Sequence, residues 1–433
     1  MSSEAYGSGS DRGGAYGPSA ENRNRERLHG EMNETPPRWH TPRSAYIHVP
    51  FCRTMCAYCD FATFAGVEQH IPAYVVALAE EIRNRSEYKS GAMGWGSGIG
   101  SPGAEPDHPL ETIYLGGGTP SLLEPAQLGT ILKAITARFG ALTNAAEVTL
   151  EANPGFNPVV IGSWVNLGVN RVSLGVQSLD DPTLKRLGRT HDADTAIRAV
   201  EALKASGSIS VNLDLIYGLP WQTLEMWQDH LRRALDTEPD HISLYALAIE
   251  AGTPLAKQVS TGQWAVPDDD LVADMYDAAL PELARAGFRH YEVSNWAKPG
   301  HESRHNLAYW RNEAYHGFGV GAHRYIAGRR SWNVRSLDHY LAAMQSGRPV
   351  EDGFETLGPD ALPGETAMLA LRMRDEGIDF ARFIERFGVD PRDRWRTVFE
   401  EVAPHGFLRV DDSRACLTDR GLLASNDIAS RFL

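Results

Sequence analysis

Cysteine is scarce in this chain of 433 residues: there are four, and Cys52, Cys56 and Cys59 lie together while Cys416 stands alone, far downstream. A disulfide framework is excluded by that arithmetic, and such usage suits a reducing compartment. Closed structural zinc sites want four ligands, commonly as two separated pairs, and there is no second pair. Long apolar runs are missing too. Nothing approaches the ~18 residues of a membrane helix, nor the roughly 7 to 15 apolar residues of a secretory signal, so a cytoplasmic location is expected. Positive charge is also in deficit: 42 Lys and Arg against 56 Asp and Glu give a net −14. Nucleic acid and anionic lipid both require a concentrated basic face, and neither is expected as a partner.

What is present is concentrated in a few places. The C-x3-C-x2-C spacing in Tyr46-Ile-His-Val-Pro-Phe-Cys-Arg-Thr-Met-Cys-Ala-Tyr-Cys-Asp-Phe61 leaves three thiolates on one tight loop. Three thiolates hold three irons of a [4Fe-4S] cluster and leave the fourth iron open to another ligand. The run Gly116-Gly117-Gly118-Thr119-Pro120-Ser121 lets a backbone approach a ligand closely, although a tight turn would use the same residues. It lacks the Lys of a phosphate loop and the spacing of a dinucleotide fingerprint, which argues against ATP and NAD.

Apolar runs at Ala45–Val49, Thr112–Leu115, Glu147–Glu151, Arg171–Val176, Ser210–Ile216 and His241–Tyr245 alternate with segments of helical periodicity. The pattern predicts an α/β fold, a partial (β/α)6 TIM-like barrel, with ligands gathered at the carboxyl ends of its strands. The Ser-, Gly- and Arg-rich residues 1–42 read as a disordered tail, 43–290 as the barrel and 90–109 as a flexible insertion. Residues 291–360 form an aromatic, His-rich connecting region, and 361–433 a smaller α+β domain of winged-helix-like pattern. That last pattern does not imply DNA binding, because residues 360–433 hold eleven Arg and no Lys against fourteen acidic residues.

The cysteine loop, the Gly-Gly-Gly-Thr-Pro-Ser run and Val172-Ser-Leu-Gly-Val-Gln177 together resemble the radical S-adenosylmethionine (SAM) enzymes. More narrowly they are similar to the oxygen-independent coproporphyrinogen III oxidase family and its HemW-type heme chaperone branch. The resemblance implies that Cys52, Cys56 and Cys59 bind the cluster and that SAM chelates its free iron, to be cleaved reductively to a 5′-deoxyadenosyl radical. It assigns Tyr46, Tyr58, Gly117, Gly118, Thr119 and Glu151 to SAM. Gln177, Arg189 and Asp214 match further cofactor positions of the oxidase, although Arg189 and Asp214 would equally serve as a structural ion pair.

Two features separate the branches. The oxidase carries a fourth cysteine two residues after the third, where this chain has Phe61. His305-Asn306-Leu-Ala-Tyr309-Trp310 is a form of the HNxxYW motif that the chaperone branch associates with heme. An imidazole is a common axial ligand and Tyr309 and Trp310 would suit a porphyrin face, but a buried His in aromatic packing would look the same. Tyr315, His316 and His323 are rival ligands. The function implied is a heme chaperone carrying a [4Fe-4S] cluster and SAM, probed against an oxidase that decarboxylates propionate side chains and against a structural heme- or metal-binding protein. Its implied partners are heme, apo-haemoprotein acceptors such as membrane respiratory enzymes, and an electron donor, with a homodimer left open.

Overall fold

Side-chain alternation along the strands sets the architecture. In the computed structural model, which describes residues 37–85, 108–326 and 328–433, six strands run parallel in sequence order: β1 (Ser44–Val49), β2 (Thr112–Gly117), β3 (Glu147–Ala152), β4 (Arg171–Gln177), β5 (Ser210–Tyr217) and β6 (His241–Ala246). One set of their side chains is apolar and buried, including Ile47, Ile113, Leu115, Val148, Leu150, Val172, Leu174, Val211, Leu213 and Ile242. These share a core with the helices Ile71–Asn84, Pro125–Phe139, Ala193–Ala205 and Leu224–Leu235. The intervening set is polar: Tyr46 and His48, Thr112 and Tyr114, Glu147 and Glu151, Asn212 and Asp214, His241 and Ser243. Because successive side chains leave a strand on opposite faces, a strand packed on helices on one side carries its polar residues together on the other. Register aligns them into rows, with Tyr46 opposite Tyr114, Glu151 opposite Ser173, Ser173 opposite Asn212 and Asn212 opposite His241.

The helices start where their capping residues stand. Asp192, Thr223 and Asp268 each accept a hydrogen bond from the backbone N–H three residues on, and Glu124 with Gln127 forms a reciprocal box ahead of Pro125.

The sheet extends beyond the six strands at both edges. At one, β7 (Arg289–Glu292) pairs antiparallel with β8 (Asn295–Ala297), which pairs antiparallel with β6. At the other, β9 (Tyr315–Phe318) runs parallel beside β1 and continues through β10 (His323–Ile326), β11 (Arg329–Asn333) and β12 (Glu351–Thr356). The region expected as a connector thus supplies five of the twelve strands and half of a sixth, β7, in the order β12-β11-β10-β9-β1-β2-β3-β4-β5-β6-β8-β7.

From Ala361 the chain builds a second core around Leu371, Phe380, Phe383, Trp395, Phe399, Leu408, Leu417 and Phe432. Its three-stranded antiparallel sheet comprises β13 (Ile378–Asp379), β14 (Leu408–Val410) and β15 (Arg414–Leu417). A turn at Val410–Ser413 joins the last two strands, with the Asp411 carboxylate accepting from the Ser413 and Arg414 N–H groups at 2.8 and 3.0 Å.

Two expected boundaries need restating. Most of the expected insertion, up to residue 107, and the tail through residue 36 lie outside the described residues. Residues 38–42, assigned above to the tail, are packed: Arg38 pairs with Glu111 at 2.9 Å, its carbonyl accepts from Ala314 N–H, and Thr41 is buried.

Candidate functional site

The cysteine loop leaves β1 at Pro50 and is tied down from three sides. Ala57 N–H donates to the Leu187 carbonyl at 3.1 Å, Leu255 N–H donates to the Ala57 carbonyl at 2.8 Å, and Phe64 N–H returns to the Pro50 carbonyl at 2.7 Å. The neighbouring glycine run is pressed against the loop's entry: Gly118 N–H donates to the Val49 carbonyl and Thr119 N–H to the Phe51 carbonyl, at 2.9 and 2.8 Å. A Cβ on Gly118 would lie 2.7 Å from the Phe51 carbonyl oxygen, and Gly117 has φ +107°, so both positions require glycine.

All three thiols are free and partly buried. Among the described residues no three His, Cys, Asp or Glu side chains converge as ligands of one ion. A cubane asks for something else, since each thiolate binds a different iron. The donor set fits that demand. Thr119 Oγ1 donates to Cys52 Sγ at 3.6 Å and Arg189 Nη1 to Cys56 Sγ at 3.4 Å, the kind of contact that stabilises ligating sulfur. Burial pushes the thiols of Cys52 and Cys59 up, a cost that a bound cation would offset.

Arg189 gathers the adjacent side chains. Besides Cys56 it donates to Asn153 Oδ1 and to the Gly175 carbonyl, and Asn153 Nδ2 in turn donates to Thr119 Oγ1 at 2.9 Å. A Cβ at Gly175 would meet Asn153, Gln177 and Arg189 within 3.0 to 3.2 Å, so the three polar groups surround one bare backbone. Gln177 holds φ +65°, a left-handed conformation unusual for a side-chain-bearing residue and commonest where a site demands it. Tyr58 is half-buried, with the Arg189 charge and two of the thiols around it. Arg189 and Asp214, alternatively an ion pair, are not paired.

Deeper in, the Glu151 carboxylate accepts from Tyr114 OH and Gly117 N–H, both at 2.9 Å. Burial, and then the Asp214 charge, push its pKa up to about 7. Asp214, itself pushed up by burial, accepts from Ser173 Oγ and Asn212 Nδ2 at 3.0 and 2.8 Å. Tyr46 donates to His48 Nδ1 at 3.0 Å, because His48 Nε2 faces the Ala62 carbonyl, which only accepts. Burial lowers the His48 pKa to about 4, so the ring is neutral.

The His305 motif forms the helix Arg304–Trp310, between β8 and β9. Glu147, at the start of β3, accepts from the N–H groups of both Arg304 and His305 at 3.0 Å, and Ser303 caps the same end. His305 is buried, with Nδ1 2.8 Å from Thr112 Oγ1 and Nε2 2.9 Å from Tyr309 OH. Burial lowers its pKa to about 3, leaving a neutral imidazole, the form that ligates metals. A second set of bonds runs from the cofactor side to this helix. Asn212 also accepts from His241 Nδ1, Tyr291 OH donates to His241 Nε2 at 2.8 Å, and Ser303 N–H donates to Tyr291 OH at 3.2 Å.

Above the helix lies a cavity of about 440 Å³ whose walls include Tyr46, Tyr114, Gly117, Glu151, His305, Tyr309, Tyr315 and His323. Tyr46 stacks toward Tyr114, Tyr114 on His305 at 5.2 Å between centroids, and Tyr309 meets Tyr315 edge-on at 4.6 Å. Asn306 lines the cavity as well. Trp310 does not: it packs into the C-terminal core beneath Arg372. Of the rival ligands, His316 packs against Phe139 on the opposite face of β9, whereas Tyr315 and His323 face the cavity.

The Radical SAM superfamily matches residues 46–234, and the HemN C-terminal domain matches residues 357–424. A protein named heme chaperone HemW in Lactococcus lactis is 36% identical over 90% of this chain and 97% of its own length. The Escherichia coli protein of the same name is 35% identical over 90% and 98%. The chain belongs to the HemW family. A solved structure of coproporphyrinogen III oxidase (HemN) from Escherichia coli, a radical SAM enzyme, shares the fold with a TM-score of 0.76 at 22% identity, covering 91% of this chain and 90% of that one.

Membership of the radical SAM superfamily implies a [4Fe-4S] cluster and SAM, and the cysteine loop with Thr119 and Arg189 is the part of this HemW-family chain that fits them. Phe61, which stands in place of the oxidase's fourth cysteine, is 64% exposed at the cavity mouth. Among the described residues no helix is long and apolar enough to cross a membrane.

Sequence reasoning missed Tyr114, His48 and Glu147, and it gave Asn153, in the run Glu151-Ala-Asn-Pro-Gly155 at a strand end, no role of its own. Two carried a legible signal. In Glu147-Val-Thr-Leu-Glu151 the charged ends are four apart on a strand, hence on one face, and Asn153 follows at the strand's carboxyl end.

Proposed function

We propose that this protein is a heme chaperone: it takes up heme in the cavity above the helix Arg304–Trp310 and passes it to apo-haemoproteins. The observation that carries the reading is the likeness to proteins named heme chaperones over nine-tenths of the chain. The cavity's aromatic wall, with a neutral imidazole among its side chains, supports it. Tyr46, Tyr114, Tyr309 and Tyr315 offer flat apolar surface to a porphyrin, and His305 would serve as axial ligand by exchanging its bond to Tyr309 OH for iron.

Cys52, Cys56 and Cys59 would hold the cluster, which when bound supplies a one-electron reductant and an open coordination site. Tyr58, Gly117, Gly118, Thr119, Gln177 and Arg189 would hold SAM beside it, with Tyr46, Glu151 and Asp214 on the cavity side. Glu151 is suited to a cationic amine, because a carboxyl held near neutral pH gains most from a neighbouring positive charge. An electron donor for the cluster belongs to the same proposal.

Titrating heme into the anaerobically reconstituted full chain tests the reading. A Soret band that saturates at one heme per chain is expected, with a reduced and shifted band in His305→Ala. Absence of a band in the wild type, or formation of decarboxylated porphyrinogen from coproporphyrinogen with SAM and reductant, would replace this reading with another.

A further inference from the structure

We propose that Arg335 is the carboxylate-binding residue of the cavity, seated to take a propionate side chain of the porphyrin, with Phe61 beside it at the mouth. The inference rests on the heme reading above and adds to it the residue that would recognise the ligand's charged edge.

Heme is a flat apolar ring with two carboxylates on one side. A site that fits it needs an aromatic interior and a cation at the rim, because a carboxylate buried without a partner is strongly disfavoured. The interior is the wall of tyrosines already described. The rim is formed by Asp60, Phe61, Ala62, Gly321, His323 and Arg335. Arg335 follows β11 and leads into the helix Leu337–Gln345; it is exposed, and its stem passes the Gly321 backbone.

Several arginines among the described residues are matched to a carboxylate: Arg324 and Arg329 with Glu351, Arg330 with Glu355 and Glu365, Arg311 with Glu376 and Arg382 with Glu313. Arg335 differs. Among the described residues its guanidinium donates to the Asp60 backbone carbonyl at 3.2 Å and forms no ion pair, although the Asp60 side chain is at the same mouth. A bond to a neutral carbonyl fixes the cation without spending its charge, and leaves N–H donors in the fork geometry that suits a carboxylate.

The remaining charge-bearing groups of the cavity do not compete for the role. His48 and His323 are both held below the usual histidine range, by burial first and by Arg335 among the neighbouring cations. Glu151 and Asp60 are acidic. Among the described residues lining the cavity, Arg335 is therefore the one permanent cation. Phe61, exposed beside it, offers the apolar edge that a bound ring would cover.

The test compares heme with its dimethyl ester, whose carboxylates are neutralised, in the reconstituted full chain. Binding is read from the Soret band and cluster content from iron and sulfide counts. Wild type is expected to bind heme about tenfold or more tightly than the ester, Arg335→Gln to lose that discrimination by weakening heme alone, and Arg335→Lys to restore part of it. Equal affinities of wild type for heme and ester, or heme affinity unchanged in Arg335→Gln, would overturn the assignment while leaving the chaperone reading intact. No heme uptake by wild type with a full cluster would overturn both.

Discussion

Glu147 and Glu151 stand four residues apart on one face of one strand and do opposite things with a carboxylate. Glu147 is ionic glue, accepting two backbone N–H groups at the start of the motif helix, where the helix dipole favours negative charge. Replacing it with Ala removes the partner of both donors and leaves the His305 N–H buried without one, at a cost of about 1 to 3 kcal/mol. A urea midpoint lowered accordingly in Glu147→Ala, and less in Glu147→Gln, is the expected result. Glu151 carries strain of a different kind. Its pKa rises from 4.5 unfolded to about 7 folded, so between those values the folded chain keeps a proton that the unfolded chain has released. Stability therefore falls as pH rises through that window and levels off above it. Denaturant midpoints of wild type and Glu151→Gln, compared on either side of the window, should show the slope shrinking in the variant.

The motif helix shows how one short element serves two neighbours. Seven residues place His305, Asn306 and Tyr309 on the cavity and Leu307 and Trp310 on the C-terminal core. Substitutions should separate accordingly. Tyr309→Ala is expected to weaken heme uptake and shift the Soret band, whereas Trp310→Ala should lower the unfolding free energy by about 1 to 3 kcal/mol, less than full burial would give, and leave the heme spectrum in place. A Trp310→Ala protein with an altered spectrum and unchanged stability would reverse the assignment.

The same helix marks the limit of what was legible in the sequence. The six parallel strands were readable because their helix-facing residues are apolar at every second position, as in Val148, Leu150, Val172 and Leu174. The cluster loop was readable because its cysteines are adjacent in sequence. Strand β9 was not. Its four residues Tyr315–Phe318 carry no periodicity to speak of, and the partner that makes them a strand is β1, far earlier in the chain. Trp310 was placed with the porphyrin for the same reason, since only the later C-terminal domain shows which face of the helix it covers.

At the scale of the whole molecule, the sheet joins two chemistries without a domain boundary between them. Strands β1 to β6 deliver the cysteine loop, the glycine run and the acidic pair, while the segments from residue 289 onward extend the sheet at both edges and bring the motif helix beneath the same cavity. The bonds from Asp214 through Asn212, His241 and Tyr291 to Ser303 run between the two.

The central claim is that one barrel holds a cluster on three thiolates and heme in the adjoining cavity. The most direct measurement is anaerobic reconstitution of wild type and of the Cys52→Ala/Cys56→Ala/Cys59→Ala protein, with iron and sulfide counting before heme is added and a Soret titration afterwards. About four iron and four sulfide per wild-type chain are predicted, almost none in the triple variant, and one heme on the wild type. A triple variant that still assembles a cubane, or a wild type that fills with iron and sulfide yet gives no Soret band, would contradict the account.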